Sequence, residues 1–203
     1  MSRVSVGLVD YDVGNLASVA RMLERLDFHC RIGSDAAVLA RADVLLLPGV
    51  GAFGAAMCSL EARGLTGFLR DAVRAGTPIV GLCLGMQLLA DASLEFGRTP
   101  GLGLIPGEVV PLPQGARHIG WNSIDVVGAD ELLAPSDGAV VYFNHSYVFV
   151  TDSEYRTCTA TLGQPFTAGV RRGNVVGLQF HPEKSQEAGR ALLRHVIEGV
   201  VGA

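Results

Sequence analysis

Three short, largely apolar runs, each followed by residues with helical periodicity, restrict the fold of this 203-residue chain more than any other feature. The runs occupy residues 4–9, 44–47 and 78–82. After the first run, Asn15 is the expected N-cap of a helix whose apolar residues repeat every three or four positions to Leu26. Further helices are predicted over 53–75, interrupted near Gly64, and over 85–92. Because continuous apolar strands are typical of sheets covered on both faces, the pattern predicts an α/β fold around a largely parallel sheet.

The second half of the chain changes character. Between about 108 and 178 the apolar runs are shorter and turn residues recur, which predicts several antiparallel strands added to the parallel sheet. A last amphipathic helix is predicted over 185–200. The chain has no evident linker or repeat, and its length suits one domain, so we expect a single domain over 1–203.

Composition excludes several classes of partner. The net charge is −4, from 16 basic and 20 acidic residues, and no basic run stands out, which argues against nucleic acid and anionic membranes. No segment approaches the roughly 20 apolar residues of a membrane span. The four cysteines form no C-x-x-C pair, which favours free thiols in a reducing, cytoplasmic compartment. No phosphate-binding loop, dinucleotide motif or metal-ligand spacing is present, so we expect no cofactor and no metal.

The segment Gly-Leu-Cys-Leu-Gly at 81–85, between a predicted strand and a predicted helix, carries the clearest chemistry. This is the G-x-nucleophile-x-G elbow with Cys83 as the nucleophile. Both glycines are needed because a Cβ at either position would crowd the neighbouring strand or helix. The start of a helix favours the thiolate form of the sulfur. The N–H of Leu84 is then placed to stabilise an acyl oxyanion.

A thiolate nucleophile needs a group that takes and returns a proton, and His181 is the best candidate. It follows an apolar strand at 175–180, at the carboxyl end where α/β proteins place their sites. Glu183 is expected on the same side of the chain if the segment stays extended, where its carboxylate can orient the imidazole. The glycines of Pro-Gly-Val-Gly at 48–51 allow a second backbone N–H to turn toward the oxyanion.

Two motifs, Gly-Leu-Cys-Leu-Gly-Met-Gln-Leu-Leu at 81–89 and Gln-Phe-His-Pro-Glu at 179–183, resemble those of class I, triad-type glutamine amidotransferases. Further segments resemble the family of glutaminase subunits of imidazole glycerol phosphate synthase. They are 10–16, 47–54, 101–107, 118–122, 145–147 and 181–185. The resemblance implies the fold of that class, an open, mostly parallel sheet flanked by helices, similar to flavodoxin and α/β-hydrolase folds. The motifs that carry the resemblance are spread from residue 10 to residue 185, so the resemblance covers almost the whole chain.

The same resemblance implies the reaction and the partner. L-glutamine is hydrolysed to L-glutamate and ammonia through a thioester on Cys83. The ammonia passes to a separate (β/α)₈-barrel synthase subunit, with which the glutaminase forms a heterodimer. That subunit makes imidazole glycerol phosphate and aminoimidazole carboxamide ribotide from PRFAR in histidine biosynthesis.

Site residues are carried over by position. The triad is Cys83, His181 and Glu183, and the oxyanion donors are the N–H groups of Val50 and Leu84. The residues implied to hold glutamine are Gly51, Gln87, Glu95, Ser146 and Tyr147. The residues implied to face the partner are Asn15, Trp121, Asn122, Tyr142 and Lys184. Residues alone leave other readings open, since Gln87 could be an exposed helix residue, Trp121 a core residue and Lys184 merely solvated.

Three positions depart from the family pattern without touching the triad. Asp12 stands where a glycine is usual, and an aspartate tolerates a positive φ better than most residues. Arg117 stands where proline is common, and Asn144 replaces a usual apolar residue. Two other functions remain open: a different triad amidotransferase, such as the glutaminase of anthranilate or pyridoxal phosphate synthesis, and a catalytically silent binding subunit on the same fold.

Overall fold

A computed structural model of the chain describes residues 3–202, and of Gln114 only the backbone. The helices are α1 Leu16–Arg25, α2 Ala36–Leu39, α3 Phe53–Ala62, α4 Leu65–Arg74, α5 Leu84–Leu88 and α6 Gln186–Val201. The strands of the first half are β1 Ser5–Val9, β2 His29–Gly33, β3 Val44–Leu47, β4 Ile79–Leu82, β5 Ala92–Ser93 and β6 Thr99–Pro100. Those of the second half are β7 Glu108–Pro111, β8 His118–Ser123, β9 Asp125–Val126, β10 Val140–His145, β11 Tyr147–Val150, β12 Arg156–Leu162, β13 Gln164–Arg172 and β14 Val175–Leu178.

The central sheet has eight strands in the order β2-β1-β3-β4-β14-β13-β12-β9. The first five are parallel to one another, and β13, β12 and β9 extend the sheet antiparallel. The predicted α/β class with added antiparallel strands is therefore confirmed. Because β4 and β14 are parallel neighbours, the segments that follow them emerge side by side at one edge of the sheet.

Alternate residues of the parallel strands pack into two separate cores, one on each face of the sheet. In β3, Val44 and Leu46 belong to the core that α1 and α6 cover, and Leu45 and Leu47 belong to the core that α3, α4 and α5 cover. This two-sided burial is why the strand is apolar at every position. Burial of this kind contributes about 25 cal/mol for each Å² of apolar surface removed from water.

Some predicted elements differ from those observed. The helix predicted over 85–92 ends at Leu88, and Ala92 already belongs to β5. Four strands of the second half, β7, β8, β10 and β11, lie outside the central sheet. They belong to a two-stranded sheet β10-β8 and a four-stranded sheet β11-β7-β5-β6, in which β5 and β7 are parallel. β2 and α2 are not predicted by the sequence pattern, because an exposed edge strand lacks an apolar run and α2 has only four residues. The single domain stays a prediction.

Local signals at the start of the chain are confirmed. The Asn15 side chain accepts a hydrogen bond from the Ser18 N–H, 3.3 Å away, and caps α1 as predicted. Asp12 has a φ of 63°, so the position does require the left-handed conformation that a glycine adopts freely. Its carboxylate also pairs with the guanidinium of Arg63. Across residues 3–202, no helix combines the length and the apolar character needed to cross a membrane.

Candidate active site

Cys83 is the single residue between β4 and α5, and its backbone conformation is strained, with φ 54° and ψ −108°. A conformation of this kind costs about 1–3 kcal/mol and persists only where the surroundings enforce it. A Cβ at Gly81 would lie 2.6 Å from the Gly85 carbonyl oxygen, and one at Gly85 would lie 1.8 Å from the Leu47 carbonyl oxygen. Both flanking glycines are therefore sterically required. The N–H of Leu84, the first residue of α5, has no acceptor within the helix.

Cys83 and His181 come together because β4 and β14 are paired in register, Leu82 beside Leu178. The Cys83 N–H also donates to the Leu178 carbonyl at 2.8 Å. Both side chains line one cavity, and His181 is hydrogen-bonded to Glu183. Burial lowers the pKa of His181, but the proximity and negative charge of Cys83 and Glu183 outweigh the burial and raise the pKa to about 10.

The contact between Glu183 and His181 does not depend on the extended backbone that the sequence analysis expects. The segment does not stay extended: Pro182–Lys184 is a turn of 3₁₀ helix. That turn brings Glu183 Oε1 to 2.9 Å from His181 Nδ1, with both side chains 4% exposed. The second carboxylate oxygen, Oε2, is buried and has no hydrogen-bond partner among the described residues. Glu183 thus commits one oxygen to the imidazole.

A cavity of about 270 Å³ opens over Cys83. The residues predicted to form the oxyanion hole and to hold glutamine all line it: Val50, Gly51, Leu84, Gln87, Glu95, Ser146 and Tyr147. The turn that bears Val50 approaches the elbow closely, since a Cβ at Gly49 would lie 2.6 Å from the Tyr11 hydroxyl and 2.9 Å from Leu84 Cβ. The buried Tyr11 hydroxyl donates to the Pro48 carbonyl and holds the turn in place.

Two side chains of the cavity wall are already engaged. Gln87 is buried rather than exposed, which excludes the exposed-helix interpretation, and its Nε2 donates to the Tyr147 carbonyl at 3.2 Å. The Glu95 carboxylate accepts the N–H of Phe53, the first residue of α3, at 2.6 Å. A carboxylate at a helix N-terminus is stabilised there by the unsatisfied N–H groups and the helix dipole. Glu95 therefore fastens the cavity wall to α3.

Comparison with known families decides the membership. The family model for glutamine amidotransferase class-I matches residues 8–198. The chain belongs to the class-I glutamine amidotransferase family. The elbow, the His181–Glu183 pair and the cavity all lie within the matched region of this amidotransferase.

Curated relatives sharpen the comparison. The imidazole glycerol phosphate synthase subunit HisH of Streptococcus sanguinis (strain SK36) is 44% identical over 197 residues, 95% of each chain. The subunit of the same name from Aquifex aeolicus (strain VF5) is 44% identical over 193 residues, 93% of each chain. The amidotransferase is thus similar to HisH subunits along nearly its whole length.

Solved structures share the fold at low identity. One, titled as a glutamine amidotransferase, has a TM-score of 0.78 at 22% identity and covers 98% of this chain and 99% of that one. Another, PurLQS from Thermotoga maritima, also has a TM-score of 0.78, at 19% identity, over 98% of this chain and 99% of that one. These similarities confirm the class I fold of this amidotransferase.

Three of the five residues predicted to face a partner, Trp121, Tyr142 and Lys184, form one cluster. Trp121 is 49% exposed, which excludes a core role, and packs edge-on against Tyr142 at 5.9 Å between ring centroids. Lys184 Nζ lies 5.6 Å from the centre of the Tyr142 ring, so it is more than solvated. The other two residues make different contacts. Asn122 is partly buried and donates to the Thr161 carbonyl at 2.8 Å, and Asn15 caps α1 at an exposed position.

Several residues of the site were missed by sequence reasoning. Ser185 joins β10 to the histidine turn, since its hydroxyl accepts the Tyr142 N–H at 2.9 Å and donates to the His181 carbonyl at 2.7 Å. Ile119, on the strand β8 that carries Trp121, and Val140, on the paired strand β10, are both more than half exposed. Outward alternation in β8 could have identified Ile119. Nothing in the sequence pattern pointed to Ser185, whose partners are distant in the chain.

A buried histidine pair forms the wall behind Tyr147. His118 Nδ1 lies 3.1 Å from His145 Nε2, and His145 Nδ1 lies 2.9 Å from the Tyr147 carbonyl oxygen. Burial, together with the nearby His118 and His181 and against the hydrogen bond to the Tyr147 carbonyl, lowers the pKa of His145 to about 4. Burial also lowers the pKa of His118. Both imidazoles are therefore neutral near pH 7. The Nδ1–H of His145 donates to the Tyr147 carbonyl, which leaves His145 Nε2 to accept from the Nδ1–H of His118. Within 3–202, no group of His, Cys, Asp or Glu could hold a metal ion.

Proposed function

We propose that this chain is the glutaminase subunit of imidazole glycerol phosphate synthase, hydrolysing L-glutamine and supplying ammonia for histidine biosynthesis. The observation that carries the proposal is that Cys83 and His181 line one cavity and Glu183 pairs with His181, in a chain 44% identical to HisH over 95% of its length. Four free cysteines, including Cys83, suit a reducing cytoplasm, where we place the reaction.

The mechanism uses two protonation states of His181. The Cys83 thiolate attacks the side-chain carbonyl carbon of glutamine, and the resulting oxyanion accepts hydrogen bonds from the N–H groups of Val50 and Leu84. The imidazolium of His181 gives its proton to the leaving nitrogen, the C–N bond breaks and ammonia departs. A water then attacks the thioester while His181 takes its proton. The C–S bond breaks, glutamate leaves and the thiolate is restored.

Charge in the cavity suits the free amino acid. Glutamine carries an α-ammonium and an α-carboxylate, and the cavity wall includes one carboxylate residue, Glu95, and one guanidinium residue, Arg117. The guanidinium has no ion-pair partner among the described residues. Glu95 binds the ammonium and Arg117 binds the carboxylate. This role gives the departure at position 117 a function in this chain.

The partner docks on the exposed faces of β8 and β10. Trp121, Tyr142 and Val140 form an apolar patch, and Ile119 extends it along β8. Tyr142 connects the patch to the site, because its carbonyl accepts the His181 N–H at 2.8 Å. The barrel synthase subunit covers this patch in a heterodimer, and ammonia leaves the cavity toward it. Lys184, the only lysine of the chain, lies at the same edge.

The decisive experiment labels Cys83 with a diazo-oxo analogue of glutamine, with and without a purified barrel synthase subunit. We expect covalent mass only on the Cys83 peptide, glutamine protection against labelling, and faster glutamine hydrolysis when the synthase and its ligand are present. Absence of label under every condition would support a silent binding subunit. Label with capture of an anthranilate or pyridoxal phosphate synthase in place of the barrel would assign the chain to another pathway.

A further inference from the structure

Gln179 lies between β14 and His181 and is completely buried. Its N–H donates to the Ala168 carbonyl at 2.9 Å, which holds its backbone against β13. A buried carboxamide needs partners for both its oxygen and its nitrogen. The side chain finds both in the floor of the cavity rather than in the solvent.

The orientation of this amide follows from a backbone carbonyl. The Tyr147 carbonyl oxygen can only accept, so the Gln87 atom 3.2 Å from it must be the nitrogen Nε2. The same Nε2 lies 3.1 Å from Gln179, which must therefore present its oxygen Oε1. The Nε2 of Gln179 then lies on the other side of the amide, 3.8 Å from Cys83 Sγ.

We propose that Gln179 is a further catalytic residue, whose Nε2–H stabilises the thiolate of Cys83; the inference rests on the glutaminase function proposed above. Two groups contact the sulfur. The Asn144 carbonyl, 3.9 Å away, accepts only from the thiol form, whereas the Gln179 N–H donates to the sulfur in either form. A hydrogen bond to an ionised acceptor is roughly twice as strong as one between neutral groups, so Gln179 favours the thiolate.

A neutral donor suits this place better than a charged one. His181 must regain a proton during turnover, and a second cation at the sulfur would disfavour the imidazolium. The hydrogen bond from Gln179 weakens when the sulfur enters the thioester and strengthens again when the thiolate leaves. Gln179 thus helps the sulfur to act first as nucleophile and then as leaving group.

The test measures alkylation of Cys83 by iodoacetamide in the isolated chain, read by mass spectrometry of its peptide from pH 5 to 10. Gln179→Met is expected to move the midpoint to higher pH and to slow alkylation at pH 7 roughly ten-fold, as for one lost hydrogen bond to a charged group. The matched change Gln164→Met, at an exposed position of β13, is expected to leave the profile unchanged. An unchanged midpoint in folded Gln179→Met would overturn the proposal.

A second measurement covers a variant that fails to fold. In the wild-type chain, the side-chain N–H resonance of Gln179 is expected to move downfield with the same midpoint as the alkylation, and to stop titrating in Cys83→Ala. A resonance indifferent to Cys83 contradicts the proposal. Neither measurement uses glutamine or a partner, so failure here leaves the glutaminase proposal standing. Failure of glutamine hydrolysis with a normal Gln179 effect would count against the function alone.

Discussion

The Nδ1 atom of His181 lies 2.9 Å from Oε1 of Glu183, across one turn of 3₁₀ helix that buries both side chains. The contact fixes which imidazole nitrogen carries a proton: Nδ1 donates to the carboxylate, and Nε2 is left for the sulfur. Because the carboxylate also stabilises the imidazolium, Glu183 controls both the orientation and the charge of His181.

Glu183→Gln tests this control. The neutral amide can still accept from Nδ1 but no longer stabilises the imidazolium, so we expect kcat for glutamine hydrolysis to fall by about 10²- to 10⁴-fold. The pKa of His181 should also fall, as measured by NMR of its ring protons. Glu187→Gln, on the exposed surface of α6, serves as the matched control. An unchanged pKa of His181 in Glu183→Gln would contradict the assignment.

Cys83→Ala should abolish glutamine-dependent synthesis by the complex and leave ammonia-dependent synthesis intact, because free ammonia bypasses the thioester. Adding His181→Ala should lower the glutamine-dependent rate hardly further, since members of a triad act as a unit. Both rates are measured on the same purified complex. Loss of the ammonia-dependent rate would mean that the substitution damages the fold or the partner contact.

Gly85→Ala should destabilise the chain by about 3 kcal/mol or more, because its Cβ would overlap the Leu47 carbonyl oxygen. Gly67→Ala is the matched control: Gly67 lies inside α4, and no atom lies within 4 Å of a Cβ added there. We expect that change to stabilise by about 0.5–1 kcal/mol. Urea denaturation measures both. Equal effects of the two substitutions would argue against the close approach at the elbow.

Arg117→Ala should raise KM for L-glutamine about 3- to 10-fold with little change in kcat, because Arg117 is exposed and its ion pair with the substrate carboxylate is partly screened. The α-carboxamide of glutamine lacks that charge. Wild type and Arg117→Ala should therefore show the same KM for it. Arg156→Ala, another exposed arginine, is the control. A KM that depends on Arg117 equally for both substrates would exclude this contact.

The lowered pKa values of the buried histidine pair predict how the free energy of unfolding depends on pH. The pKa of His145 is about 4 in the folded chain against 6.5 as its ordinary value, so the unfolded chain binds its proton first. The stability that neutral His145 contributes, about 3 kcal/mol, is present above pH 6.5 and lost as the pH falls from 6.5 toward 4. His118 has the same sign. His145→Gln should flatten this dependence in urea denaturation, whereas the exposed His29→Gln should not. Parallel curves for wild type and His145→Gln would contradict the neutral pair.

Much of the site could be predicted because its signals are local. The glycines around Cys83 and the Asn15 cap act within a few residues, and apolar strands report burial on both faces. The contact of Glu183 with His181 was predicted correctly for the wrong reason, since Pro182 begins a 3₁₀ turn where an extended segment was expected. The early end of α5 was not predicted either. Ala92 pairs with β6 and β7, and no local sequence signal indicates that pairing.

The amino-acid sequence by itself determined the α/β class, the elbow at Cys83 and the candidates His181 and Glu183. Tertiary structure alone decided that Gln179 meets Cys83, 96 residues earlier in the chain, and that Gln87 orients its amide. The physical reason is that steric and capping preferences act between near neighbours. Contacts across the sheet depend instead on strand order and register, which emerge only when both cores are packed at once.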